Sequence, residues 1–178
     1  MTDFDAETEL RDYAARRAIH KLVYTYMRAQ DRLLPELHRS VFADDAYVDC
    51  GHYKGSAAGF VDFAQGFLGD LRASQHLVGQ IDVDIAGDTA TGEIYFLAQH
   101  RLIEGGEEKD LIVAGRYIDE YCRRDGGWTI LRRHELVDWV RTDPAADSFL
   151  VAAPGLNMGA RRAEDFSATR AWPTEQIR

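Results

Sequence analysis

Residues 93–140 read EIYFLAQHRLIEGGEEKDLIVAGRYIDEYCRRDGGWTILRRHELVDWV and decide the fold of this chain. Three runs rich in apolar, β-branched and aromatic residues, at 93–103, 111–123 and 128–140, predict long strands. Successive side chains of a β-strand point to opposite faces, so each predicted strand can direct one face to the core. Gly105-Gly106 and Asp125-Gly126-Gly127 separate the runs, and short glycine turns join antiparallel neighbours. The stretch therefore predicts an antiparallel sheet connected by hairpins.

The segments before this stretch predict helices first and strands after them. Apolar residues recur at helical steps in residues 7–31, which predicts a long first helix. Pro35 permits a short second helix, and Ser56 is a suitable N-cap for a third. Residues 46–53 predict a short strand, and the alternation at residues 81–85 predicts another. Helices followed by a curled sheet define the α+β class.

The composition favours a small-molecule partner over a nucleic acid or a membrane. The chain has 178 residues, of which 46% are hydrophobic, and a formal net charge of −9. Nucleic-acid binding requires clustered basic residues, and an anionic membrane repels an acidic surface. The first residues are acidic rather than typical of a signal peptide, and no apolar run approaches the ~20 residues of a membrane span. We therefore expect a cytoplasmic protein.

Residues 1–142 contain the predicted regular elements and form one domain, whereas residues 143–178 are less regular. This C-terminal extension contains Pro144, Pro154 and Pro173. We expect it to wrap the body, where it either closes a pocket or reaches a neighbouring subunit, and a loose tail is the alternative.

Two cysteines do not make a disulfide framework, so we expect free thiols at Cys50 and Cys122.

Asp31 and His76 are the first candidates for chemistry. The apolar stripe of the first helix runs through Tyr26 and Met27, and Asp31 lies on the next turn of that face. The helix thus directs a carboxylate toward the interior, unless Asp31 is a surface residue at the helix end. His76 begins the first long strand and is either structural or catalytic. A carboxylate bonded to one ring nitrogen fixes the histidine tautomer, and Asp31 can supply it.

Further polar residues lie on the inward faces of the strands. His100 shares an otherwise apolar row with Phe96 and lines either the core or a cavity. Arg133 either serves a site or forms half of an ion pair, with Glu135 or with another carboxylate. The sequence contains no P-loop, no dinucleotide-binding glycine motif, no nucleophile elbow and no zinc-protease motif. It therefore predicts acid–base chemistry without a metal or an organic cofactor, if the protein is an enzyme.

Two segments resemble a known family. YMRAQD at residues 26–31, followed by FADDA at 42–46, and GRYIDEYCRRDGGW at residues 115–128 are similar to the SnoaL-like branch of the nuclear-transport-factor-2-like (NTF2-like) superfamily. The resemblance covers roughly residues 10–142. It implies a cone-shaped α+β domain, in which N-terminal helices pack on a strongly curved, mainly antiparallel sheet around an interior pocket. Scytalone dehydratase and hexachlorocyclohexane dehydrochlorinase are the similar enzymes, and because both are trimers the resemblance implies a homotrimer, with a dimer as the alternative.

The resemblance also implies an active site. In both enzymes an aspartate on the first helix orients a histidine that acts as the general base, and Asp31 and His76 match those positions. His100 matches a second pocket histidine of scytalone dehydratase, and Arg133 matches a pocket arginine of the dehydrochlorinase. His100 or Arg133 would then stabilise an oxyanion or assist a leaving group. The residues expected to contact the substrate are Tyr26, Met27, Cys50, Phe60, Phe67, Phe96 and Tyr117.

We therefore expect a cofactor-independent lyase of aromatic compound catabolism. Its substrate would be small, hydrophobic and aromatic or phenolic, and the reaction a dehydration or a release of formaldehyde. Two tyrosines of scytalone dehydratase are replaced here by Gln30 and Cys50, which favours a different substrate. The alternatives are an isomerase or cyclase of the same fold, a dehydrochlorinase, a non-catalytic binding domain, and the small subunit of a ring-hydroxylating dioxygenase.

Overall fold

A computed structural model describes residues 5–172, so Asp3 of the acidic N-terminus and Pro173 of the extension lie outside the described residues. The first elements are α1 (Ala6–Asp31), α2 (Pro35–Arg39), β1 (Phe42–Asp49), β2 (Lys54–Ser56) and α3 (Ala57–Asp70). Four long strands follow, namely β3 (Ala73–Ala86), β4 (Thr89–Glu104), β5 (Glu107–Arg124) and β6 (Gly127–Pro144). The extension contains α4 (Ser148–Ala152), a 3₁₀ turn (Arg162–Glu164) and α5 (Phe166–Thr169).

The strands form one mixed, six-stranded sheet in the order β2-β1-β6-β5-β4-β3. Strands β3 to β6 pair in succession as antiparallel hairpins, and β1 joins β6 in parallel. The hairpin turns contain Gly87, Gly105 and Gly126, whose φ angles of 65°, 63° and 81° are unfavourable for residues with a side chain. The predicted α+β class and mainly antiparallel sheet are confirmed.

Irregular pairing curves the sheet around α1 and α3. The register shifts between Val78 and Ile81 on β3 and between Ala114 and Gly115 on β5. Such bulges bend a strand and increase its twist. A Cβ atom at Gly115 would lie 2.2 Å from the carbonyl oxygen of Leu136, so only glycine fits at this bend. The helices pack into the resulting concave face, and the apolar core lies between them and the sheet.

The strand predicted at residues 46–53 is wrong in its bounds. Strand β1 begins at Phe42, and the chain turns after Asp49 before β2 begins at Lys54. Gly51, with a φ angle of 78°, lies in this turn. The predicted N-cap is confirmed, because the hydroxyl of Ser56 accepts the backbone N–H of Gly59 at 3.3 Å.

The C-terminal extension is anchored to the ends of α1 and α3. The guanidinium of Arg161 donates to the carbonyl oxygens of Leu68 and Leu71, each at 2.9 Å. The backbone N–H of Arg162 donates to the carbonyl oxygen of Arg32 at 2.8 Å. The described part of the extension is therefore bound to the body at several points.

Within residues 5–172, no helix combines the length and the apolar character that crossing a bilayer requires.

Candidate active site

The structure brings Asp31 and His76 together. Asp31 is the last residue of α1, and its Oδ1 lies 2.7 Å from Nδ1 of His76 on β3. Its Oδ2 accepts the backbone N–H of His76 at 3.0 Å. Because a carboxylate oxygen accepts the hydrogen bond, Nδ1 carries the proton and Nε2 is left with a lone pair. The side chains are only 11% and 6% exposed, so water competes weakly for this contact.

Ser74 links this pair to His100. The Ser74 hydroxyl donates to Oδ1 of Asp31 at 3.3 Å, and its oxygen lies 3.1 Å from Nδ1 of His100. A serine has one hydroxyl proton, so its oxygen then accepts the Nδ1–H of His100 and leaves Nε2 of His100 as an acceptor. Burial lowers the pKa of His100 to about 4, which keeps the ring neutral at physiological pH. The two imidazole rings lie 5.3 Å apart, edge to face.

An interior cavity of about 740 Å³ lies beside the two histidines, a volume typical of small-molecule sites. Its wall is mostly apolar and aromatic. The predicted residues that line it are His76, His100, Cys50, Phe60, Phe67, Phe96 and Tyr117. No residue after Val140 lines it within the described residues, so residues 143–172 do not form its wall, and a role of the extension at a subunit interface stays a prediction.

Arg133 does not line the cavity, and the expectation that it faces the pocket is wrong. Its guanidinium is fully buried and binds both carboxylate oxygens of Asp119, at 2.8 and 2.6 Å. The rings of Tyr26 and Tyr117 also contact it, with centroids 4.0 and 4.1 Å from its central carbon, and the two rings meet edge to face. Asp119 lies directly across from Arg133 in the β5–β6 pairing, which makes it the ion-pair partner in place of Glu135.

Tyr26 and Met27 also lie in the core rather than at the cavity, which corrects their predicted role in substrate binding. The Tyr26 ring packs edge to face against His38 and Phe42, at centroid distances of 4.9 and 5.9 Å. Helical spacing placed these residues on the inward face of α1. The elements packed against that face determine whether an inward residue meets protein or open space.

Two polar residues of the cavity wall, His52 and Glu135, were not predicted as site residues, and Gln30 was noted only as the replacement of a tyrosine. Glu135 shares the inward parity of β6 with Arg133, so strand alternation was a signal that could have found it. His52 lies in the turn between β1 and β2, where sequence periodicity carries no information about the direction of a side chain.

Within the described part of the chain, no group of three or more histidine, cysteine or acidic side chains is placed to hold a metal ion.

Solved structures of known proteins share this architecture. A hexachlorocyclohexane dehydrochlorinase (LinA) Type2 superposes with a TM-score of 0.71 at 22% identity, over 78% of this chain and 95% of that chain. A LinA-type3 dehydrochlorinase from Novosphingobium barchaimii gives 0.70 at 21% identity, over 78% of this chain and 96% of that one. A scytalone-dehydratase-like protein from Novosphingobium aromaticivorans gives 0.68 at 22% identity, over 76% of this chain and 91% of that chain. These similarities establish the NTF2-like fold.

The family itself follows from the sequence comparisons. The family model described as a SnoaL-like domain matches residues 11–134. The chain is also 30% identical, over 125 residues, to the uncharacterized protein Rv2910c of Mycobacterium tuberculosis, across 67% of this chain and 83% of that protein. This chain therefore belongs to the SnoaL-like domain family, and the predicted family is confirmed.

Proposed function

We propose that this protein is a cofactor-independent lyase that acts by general-base elimination on a small aromatic or phenolic molecule. The observation that carries the proposal is the 2.7 Å contact between Asp31 and His76 at the wall of an apolar cavity. This contact leaves Nε2 of His76 free to accept a proton. A base positioned in this way contributes roughly 10²–10⁴-fold to the rate.

In the proposed reaction, Nε2 of His76 removes a proton from the substrate. Asp31 stabilises the imidazolium that forms, and its second oxygen keeps the backbone of His76 in place. His100 stays neutral, so it would bind a substrate hydroxyl through a hydrogen bond rather than through charge. Two acceptor nitrogens side by side suit a substrate that presents an acidic hydrogen to His76 and a hydroxyl group to His100.

The cavity wall supports an aromatic substrate. Phe60, Phe67 and Phe96 line it together with Tyr117, and the Phe96 and Tyr117 rings stack with a centroid distance of 4.5 Å. Rings of this kind bind an aromatic face or edge favourably. The dehydrochlorinases and the scytalone-dehydratase-like protein are named for eliminations. These names support the lyase proposal, and because isomerases and cyclases share the fold, the mass of the product has to distinguish them.

The test is product analysis with matched histidine variants. Wild type, His76→Gln and His134→Gln would be incubated with aryl β-hydroxy ketones and lignin-derived arylpropane diols, and products identified by mass spectrometry. His134 is exposed on β6 and serves as the control. We expect loss of water or formaldehyde with wild type and His134→Gln only. A product of unchanged mass would instead identify an isomerase. If wild type shows no turnover and His76→Gln changes only the affinity for the compound, the protein is a binding domain.

We also propose that copies of this chain assemble through the outer face of the sheet. Leu77, Leu97, Ala114 and Trp139 lie directly opposite one another on β3, β4, β5 and β6. They form an apolar row across these strands, in which Leu77 is 56% and Trp139 50% exposed. Continuous exposed apolar surface favours a protein partner. We expect a homotrimer, as in the enzymes that the sequence resembles.

A further inference from the structure

Glu135 is a carboxylic acid in a mostly apolar cavity. It lies on β6 directly across from Tyr117 of β5, and it lines the same cavity as His76. The neighbouring guanidinium of Arg133 donates to Asp119 through Nε and Nη2, and its buried Nη1 makes no hydrogen bond to Glu135 or to any other described residue. Within residues 5–172, the Glu135 carboxyl makes no hydrogen bond and no ion pair. A partly buried carboxyl at an apolar cavity wall without a protein partner is costly, so its presence there suggests a role toward the bound molecule.

Glu135 and His76 belong to different walls of the cavity. In the sheet order, β4 and β5 separate β3, which carries His76, from β6, which carries Glu135. Both side chains line the same cavity, so one bound molecule can contact both. This arrangement places a base on one side of the substrate and an acid on another.

The surroundings of Glu135 shift its ionisation toward the neutral, proton-donating form. Burial raises the pKa of Glu135 above its usual range, and the charges of Arg133, His76 and His52 offset this only in part. The titratable and charged groups that face it come from α1, the β1–β2 turn and strands β3, β5 and β6. They are Tyr26, Cys50, His52, His76, Tyr117 and Arg133.

We infer that Glu135 is a second catalytic residue, an acid that protonates the leaving group, and that this leaving group is a hydroxyl. The inference rests on the proposed elimination. His76 takes the proton from carbon, and the electron pair of that C–H bond becomes the new C=C bond. The C–O bond breaks, and its oxygen leaves as water with the bond's electron pair and the proton of Glu135. Transfer of the proton from His76 to Glu135 through solvent then restores both residues.

A hydroxyl requires this acid, whereas a better leaving group does not. Hydroxide leaves poorly unless it is protonated as the bond breaks, but acetate or chloride departs as a stable anion. The donor therefore accelerates elimination from an alcohol, whereas elimination from a halide gains little from it. This distinguishes the proposed reaction from the dehydrochlorination for which the LinA structures are named.

The test compares two substrates that differ only in the leaving group. They are the aldol adduct of benzaldehyde and acetone, which loses water, and the acetate ester of that adduct, which loses acetate. Glu135→Gln is the variant, and Glu120→Gln on the exposed face of β5 is the control. We expect Glu135→Gln to slow elimination from the alcohol by roughly 10²–10⁴-fold and from the ester by less than about tenfold. An equal effect on both substrates, or no effect on the alcohol, would overturn the inference.

A titration separates this inference from the proposed function. Carbon-13 NMR of glutamate-labelled protein, with the Glu135 signal assigned from Glu135→Gln, reports its protonation without any turnover. We expect Glu135 to titrate at a higher pH than the other glutamates. If it titrates in the same pH range as they do, the inference is overturned. If wild type eliminates neither substrate, the proposed lyase function fails for this class. If wild type eliminates both and Glu135 titrates normally, only the role of Glu135 fails.

Discussion

Asp31 holds His76 at two points, since one carboxylate oxygen binds the ring nitrogen and the other binds the backbone N–H of the same residue. The end of α1 is thereby joined to the beginning of β3. The orientation and the tautomer of the imidazole depend on one carboxylate. Substitutions at this contact test the site without knowledge of the substrate.

Asp31→Asn should reverse the tautomer of His76. The amide oxygen can still accept the backbone N–H, but the amide nitrogen would face Nδ1 and donate to it, which moves the ring proton to Nε2. His76 then presents a donor to the cavity in place of a base. We expect nitrogen-15 NMR to show the change of tautomer and turnover to fall roughly 10²–10⁴-fold. An unchanged tautomer with full activity would contradict the proposed mechanism.

Ser74→Ala should destabilise the protein and release His100. The substitution leaves Nδ1 of His100 buried without a partner, which costs about 1–3 kcal/mol. Urea unfolding measures this loss against Ser148→Ala, an exposed serine on α4. Equal stability of the two variants would mean that Ser74 does not support His100.

Asp119→Asn should affect folding more than catalysis. Arg133 would remain fully buried without its counter-charge, and removing one partner of such a pair costs about 3–5 kcal/mol. A double variant, Asp119→Leu with Arg133→Met, should be more stable than Asp119→Asn because no buried charge remains. Denaturant unfolding measures both. If Arg133→Met is as stable as wild type but loses turnover, Arg133 has the catalytic role that the sequence suggested.

Acid should destabilise the folded protein through two buried histidines. Burial lowers the pKa of His38 to about 3 and that of His100 to about 4, from the ordinary value of 6.5. Because the unfolded chain binds protons more tightly, this stability is complete above pH 6.5 and is lost as the pH falls toward the folded-state values. Between pH 8 and pH 5 each histidine should remove roughly 2 kcal/mol. Urea unfolding should show a weaker pH dependence for His38→Gln, but not for the exposed His134→Gln.

Leu97→Glu should dissociate the proposed homotrimer. The substitution places a charge at the centre of the apolar row on the outer sheet face, where burial against another copy would be costly. Leu10→Glu, at an exposed position of α1, is the control. Light scattering after gel filtration should report a trimer for wild type and Leu10→Glu, and a monomer for Leu97→Glu. A monomeric wild type would contradict the proposed assembly.

Local chemistry in the sequence predicted most of the fold. The N-cap at Ser56 and the glycine turns at Gly105 and Gly126 act within a few residues, so their effects can be recognised without tertiary contacts. The bounds of β1 were predicted less well. Strand β1 is held by parallel pairing with β6, a partner distant in sequence, so local periodicity does not define where it begins.

The sequence by itself determined which side of each strand and helix faces inward, because side-chain direction follows from the local backbone period. The tertiary structure alone decided what each inward residue meets. Tyr26 and Arg133 contact the protein core, whereas His100 and Glu135 face an open cavity, although all are inward-facing. The helices fill only part of the curved sheet, so open space is left where no element packs against it. That outcome depends on sheet curvature and helix placement, which arise from contacts between residues far apart in the chain.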